Sequence, residues 1–181
     1  GLELKGKTIG IQAYGNVGRL VGKLAMGFGM NVLAFDPYLK DEQIEATGAK
    51  VAASLEDLYS KSDFISLHIP ATAETKGSIG YNLVSKMPKK GCLINTARKE
   101  VINEEELIKV LEERDDLRYV TDIAPDRNAE FAEKFGKRFF STPKKMGAET
   151  AEANVNAGLA AANQICDFFA TGNTRFQLNK F

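Results

Sequence analysis

The chain has 181 residues, 44% of them hydrophobic, which is enough for one domain with a substantial core and too few to promise two. Its 24 lysines and arginines balance 24 aspartates and glutamates, so no overall field recommends nucleic acid or an anionic membrane as a partner. No apolar run approaches the roughly 20 residues of a membrane helix, and the opening GLELKGKT carries no charged and apolar leader. Cys92 and Cys166 match no metal-ligand spacing, and the pattern reads as a reduced, cytoplasmic protein with two core thiols.

In chain order, short apolar, β-branched runs alternate with helical stretches, the signature of an α/β fold with a parallel sheet covered on both faces. Strands are predicted at 8–12, 31–35, 50–52, 63–67, 92–95, 117–121 and 139–141. Helices are predicted at 16–28, 41–47, 55–60, 81–87, 103–113 and 129–135. The acidic run 104–106 reads as the first turn of a helix capped by Asn103. The alanine-rich AETAEANVNAGLAAANQICDFFATGN is one long helix that stops at Gly172. Only nine residues follow, so whatever the helix leads to is expected to be mostly absent.

The first strand enters GIQAYGNVGRL, close to a glycine-rich dinucleotide turn but with Ala13 at the first glycine and Gly15 and Gly18 at the other two. In such a turn the glycines permit a tight bend, close approach of the backbone to a pyrophosphate, and close helix-to-strand packing. Alanine at the bend is acceptable where its φ is negative. Asp36 ends the next apolar run, eighteen residues past Gly18, where a carboxylate would accept both hydroxyls of the adenine ribose. The competing reading is that Asp36 only opens a turn with Pro37. An aspartate there repels a 2′-phosphate, and DPYLK offers no neighbouring arginine, so NAD is preferred to NADP.

Further strings follow in order: ELKGKTIGI, FDPY, SDFISLHIPATAETKGSIG, GCLINTAR and TPKKMGAETAEAN. Together they resemble the NAD-binding domain of the D-isomer-specific 2-hydroxyacid dehydrogenases over nearly the whole chain. They are most similar to the members that act on 3-phosphoglycerate. The resemblance implies a Rossmann-type, doubly wound, three-layer α/β/α domain that binds NAD and commonly forms a homodimer. It implies a substrate domain outside this chain, with catalysis in the cleft between the two. Residues 1–181 are then one NAD-binding domain of a larger enzyme, expected to bind nucleotide without turnover alone. The implied substrates are 3-phosphoglycerate and 3-phosphohydroxypyruvate, at the entry to serine synthesis; another 2-hydroxy or 2-oxo acid is the alternative.

By the same resemblance Tyr14, Gly15, Asn16, Val17 and Gly18 form the pyrophosphate turn, and Asp36 and Pro37 the ribose site. His68, Ile69, Pro70 and Thr75 match the loop on the adenosine side, Thr96, Ala97 and Arg98 the segment under the nicotinamide, and Asp122 the acid near the carboxamide. Gly147, in the last motif, is the remaining residue expected to line the cofactor. His68, the only histidine, reads as structural or cofactor-lining rather than catalytic.

Reduction of a 2-oxo acid needs a cation on the carboxylate, a proton donor for the developing alkoxide and a hydride placed on the carbon. Arg98 suits the first role, because its fork of donors meets carboxylate and carbonyl oxygens together. The family pattern has a histidine after Thr-Pro; here the string is Thr142, Pro143, Lys144, Lys145. Counting back from Gly147 puts Lys145 in the donor's place, whereas counting forward from Pro143 puts Lys144 there. A lysine ordinarily keeps its proton far above neutrality, so that exchange needs desolvation or a neighbouring cation such as Arg98. The rival reading is two solvated lysines and a non-enzymatic NAD-sensing scaffold. Asp126 is the candidate carboxylate partner, and it is equally readable as a structural loop residue. Lys99 and Glu100 replace family glycines, which puts the backbone beside Arg98 in question.

Overall fold

A computed structural model describes residues 3–145, 147 and 149–179. They fall into two units, 1–145 and 146–181, each described by itself.

The first unit holds seven parallel strands, β1 (Thr8–Gln12), β2 (Asn31–Phe35), β3 (Lys50–Val51), β4 (Phe64–Leu67), β5 (Cys92–Asn95), β6 (Arg118–Thr121) and β7 (Phe139–Ser141). Their order is β3-β2-β1-β4-β5-β6-β7, so the chain winds outward from β1 in one direction and then in the other. This is the parallel sheet that the alternating pattern predicts, in the Rossmann-type, doubly wound order that the resemblance implies. Register follows from the apolar runs: Ile9 pairs with Val32 and Phe64, Ile65 with Leu93, and Leu93 with Tyr119.

Successive strand residues face opposite sides, and that alternation divides the core in two. On one side Ile9, Ile11, Val32 and Ala34 pack with Ala25 of α1 (Asn16–Gly27) and Ile44 of α2 (Asp41–Glu45). On the other, Leu33, Ile65, Leu93 and Tyr119 pack under α3 (Leu55–Ser60), α4 (Tyr81–Val84), α5 (Glu104–Glu113) and α6 (Asn128–Phe135). Tyr119, Phe131 and Phe139 lie with ring centroids 5.1 to 5.7 Å apart and close that side of the core at the far edge.

Helix ends differ from the sequence reading by one to three residues. Phe28 is the C-cap of α1 rather than its last turn. α4 stops at Val84 because Lys86 and Met87 donate to Leu83 and Val84, a tightened turn that carries the helical pattern onward without α-helical bonding. Asn103 caps α5 as expected, its Oδ1 accepting from the Glu106 amide. At the sheet's amino edge Arg114 donates to the carbonyls of Ser85, Met87 and Pro88 and pairs with Asp116 at 2.8 Å.

The second unit is built on α7 (Ala151–Thr171). Thr150 caps it by accepting from the Ala153 amide, and Gly172 ends it at φ +71°, where the sequence places its stop. Cys166, expected in a core, is exposed; α7 has no buried residue among those described. No helix of the described residues is long and apolar enough to cross a membrane.

Candidate functional site

In a parallel sheet every strand ends on the same edge. Here the residues singled out in the sequence follow the carboxyl ends of β1 (Tyr14–Gly18), β2 (Asp36, Pro37), β4 (His68–Pro70), β5 (Thr96–Arg98), β6 (Asp122) and β7 (Lys145). That edge, at the reversal of strand order between β1 and β4, is where doubly wound sheets bind ligands. Gly147 is an exposed turn residue of the second unit, and Met146 and Ala148 of the same string lie outside the described residues.

The glycine turn departs from expectation at one angle. Ala13 has φ +71°, the left-handed region, not the negative value at which alanine is free of strain. Such a conformation costs an alanine about 1–2 kcal/mol. Gly18 is required by contact, since a Cβ there would run into the carbonyl oxygen of Ala13 and come within 3.1 Å of Ile11 Cγ2. At Gly15 the contrast is complete. A Cβ on it would point into open space at the N-terminus of α1, the room a pyrophosphate needs.

Asp36 closes its turn and keeps acceptor capacity besides. Its Oδ2 accepts from the Tyr14 amide at 2.8 Å and its Oδ1 from the Tyr38 amide at 2.9 Å, the latter closing the turn through Pro37. Each carboxylate oxygen keeps a further lone pair, and these can accept two ribose hydroxyls.

Beyond β4, His68 Nε2 lies 3.0 Å from Ser66 Oγ, and burial lowers its pKa, which favours the neutral ring. Ile69 is buried. Thr75 Oγ1 donates to the Pro70 carbonyl at 2.6 Å and accepts from the Thr72 amide at 2.7 Å, fixing the loop's path.

Beyond β5, the fully buried Asn95 holds the segment that bears Arg98. Its Oδ1 accepts from the Ala97 amide at 3.0 Å and its Nδ2 donates to the Arg98 carbonyl at 2.9 Å. Thr96 and Arg98 stay exposed, and Arg98 Nη1 donates to the Ala97 carbonyl at 2.7 Å. Lys99–Val101 forms one 3-10 turn with neither Lys99 nor Glu100 at positive φ, so this backbone needs no glycine there. Lys99 Nζ pairs with Asp126 Oδ1 at 2.5 Å, which holds the lysine's pKa up. Glu104 accepts from the amides of Asp126 and Arg127, each at 2.8 Å, and ties that loop to the first turn of α5. Cys92 is no nucleophile: burial pushes its thiol up to about 11, against a smaller opposing effect of Arg118.

Beyond β6, Asp122 Oδ1 is buried without a hydrogen-bond partner among the described residues. A buried carboxylate oxygen left open costs free energy unless a donor completes it, and a carboxamide NH₂ is such a donor. The open space at Gly15, the two free lone pairs of Asp36 and this orphaned oxygen together fit a nicotinamide dinucleotide. Asn95, Glu104 and Lys99 were not identified as supports in the sequence. Only Asn95 carried a signal, as a polar residue closing an otherwise apolar strand.

The family model for the D-isomer specific 2-hydroxyacid dehydrogenase NAD binding domain matches residues 1–144. The chain belongs to that family, as its NAD-binding domain. It is 34% identical over 173 residues to a D-3-phosphoglycerate dehydrogenase of Methanocaldococcus jannaschii, covering 91% of this chain and 32% of the relative. It is 42% identical over 113 residues to a glyoxylate reductase of Thermococcus litoralis, covering 62% of this chain and 34% of the relative. Among solved structures, NAD⁺-bound 3-phosphoglycerate dehydrogenase of Entamoeba histolytica superposes with a TM-score of 0.88 at 50% identity, covering all of this chain and 57% of that one. The chain thus spans about a third of these curated relatives' length.

Proposed function

We propose that a protein carrying this domain is an NAD-dependent dehydrogenase that interconverts 3-phosphoglycerate and 3-phosphohydroxypyruvate, the reaction that opens serine synthesis. The observation that carries the reading is the row of strand ends that sets the Asp36 carboxylate, the Asp122 oxygen and the Arg98 guanidinium on one edge. The substrate is supported by the names of the M. jannaschii and E. histolytica relatives.

NAD, when bound, accepts or returns the hydride of the interconversion. The amides that open α1 hold its pyrophosphate, Asp36 its ribose and Asp122 its carboxamide, with Ile69, Pro70 and Thr75 along the adenosine side. Arg98 grips the substrate carboxylate and polarises the carbonyl oxygen. Lys145 gives its proton to the oxygen in reduction and takes it back in oxidation. Asp126 bears on this chemistry through Lys99, the partner it holds. Self-association through this domain is part of the proposal; α1 and its C-cap present Leu20, Leu24 and Phe28, each more than 60% exposed. Sedimentation of the chain across a concentration series tests it, and a monomer throughout removes it.

Calorimetric titration with NADH and NADPH tests the cofactor site. The expected result is NADH binding at least tenfold tighter than NADPH; no binding of either rejects the reading of the turn. In the full-length protein, Lys145→Ala should lower kcat by about 10²-fold or more with less change in KM. An unchanged rate removes Lys145 from the proton's path, and faster turnover of phosphate-free acids removes the substrate assignment.

A further inference from the structure

Ala13 stands in a conformation that glycine adopts freely and alanine resists, yet it begins the segment on which nucleotide binding depends. The next residue shows what keeps it there. The Tyr14 amide donates to Asp36 Oδ2 at 2.8 Å, its carbonyl accepts from Arg19 Nε at 3.1 Å, and its hydroxyl lies 2.9 Å from Thr47 Oγ1. Thr47 spends its own proton on the Ile44 carbonyl at 2.6 Å, so in the hydroxyl pair Tyr14 donates and Thr47 accepts. The tyrosine is fully buried, and Gly22 makes room for its ring: a Cβ at Gly22 would lie 2.7 Å from the phenolic oxygen. On the near side, the Ala13 amide donates to the Phe35 carbonyl at 2.9 Å.

We infer that Tyr14 is the positioning residue of the dinucleotide turn: anchored through its hydroxyl to Thr47 and through its peptide groups to Asp36 and Arg19, it holds Ala13 left-handed. The amides that follow thereby stay aimed at the pyrophosphate. The conformational freedom that a first glycine supplies is replaced here by an anchored side chain. This inference rests on the NAD reading of the turn, and Tyr14 acts through the backbone rather than on the reacting atoms.

The test is a cycle read by NADH affinity. Tyr14→Phe and Thr47→Val each cut the anchor while keeping the ring or its packing. Each should raise the NADH Kd three- to tenfold, and Thr47→Ser should restore it. In the Ala13→Gly background, where the left-handed bend needs no holding, the same cuts should change Kd less than twofold. Unchanged affinity in the first background, or equal losses in both, overturns the inference. Amide hydrogen exchange at Tyr14, measured without nucleotide, is the second readout. Thr47→Val should speed it at least tenfold and Thr47→Ser should not; equal protection in all three overturns the inference too. If the unsubstituted chain takes up no NADH, the cofactor reading fails, and exchange alone decides the anchor.

Discussion

The carboxyl edge of the sheet is built on two plans. Beyond β1 and β2 side chains are spent holding the backbone whose amides are proposed to meet the cofactor: Tyr14 is buried, and Asp36 and Arg19 bond to its peptide groups. Beyond β5 and β6 the backbone is again held by a side chain, but the groups left open are charged side chains. A buried side chain, Asn95, holds the backbone, and the charged groups Arg98 and Asp126 are left exposed. The difference follows from what each half must meet. Backbone donors present the same geometry to every cofactor molecule and work best when immobile, whereas a cation that grips a substrate must exchange water for it at each turnover.

Gly18→Val strikes the rigid half hardest. Its side chain meets Ala13 and Ile11, so a loss of about 2–3 kcal/mol is expected, with a Tm lower by roughly 5–10 °C and no measurable NADH uptake; a variant melting with the unsubstituted chain breaks the claim of rigidity. Asp36→Ala removes the acceptors of the Tyr14 and Tyr38 amides together with the two proposed for the ribose. NADH affinity should fall at least tenfold in calorimetry while NADPH affinity changes less. Asn95→Ala probes the other plan, leaving the Ala97 amide and Arg98 carbonyl without their buried partner, for about 1–3 kcal/mol in urea unfolding.

Asp116, on the opposite edge, is a control outside both plans. Its carboxyl is held well below the usual carboxylate range by Arg114, so its contribution is present above the unfolded value of about 4 and drains away as pH falls toward the folded one. Stability of the unsubstituted chain and of Asp116→Asn should differ at pH 7 and converge toward pH 2. Lys99→Met is expected to have the smallest effect. It cuts an exposed ion pair and should leave Tm unmoved at 0.15 M salt; a clear drop would show the chemical half to be as tightly held as the nucleotide half.

The strands were legible because both faces of the sheet are covered, which makes each strand a short apolar run rather than an alternating one. Asp36 was legible from its place at the end of such a run. The φ of Ala13 was not, since an alanine's identity leaves the sign of φ open until its neighbours fix it. Nor were the duties of Glu104, whose acceptors reach amides 22 and 23 residues away across a crossing that only the folded chain creates. The same holds for Thr47, bonded to Tyr14 over 33 residues.

The strand order has a consequence for synthesis. β1 leaves the ribosome before the other six strands, yet it ends between β2 and β4. Until residue 67 has emerged, a β1–β2–β3 ribbon leaves open the edge of β1 that β4 will take, with Ile9 and Ile11 on it. Arrival of β4 covers that edge and joins the two halves of the sheet. A nascent chain halted with β3 outside the ribosome and β4 still inside would keep that edge open to other chains, and one halted after β4 has emerged would not.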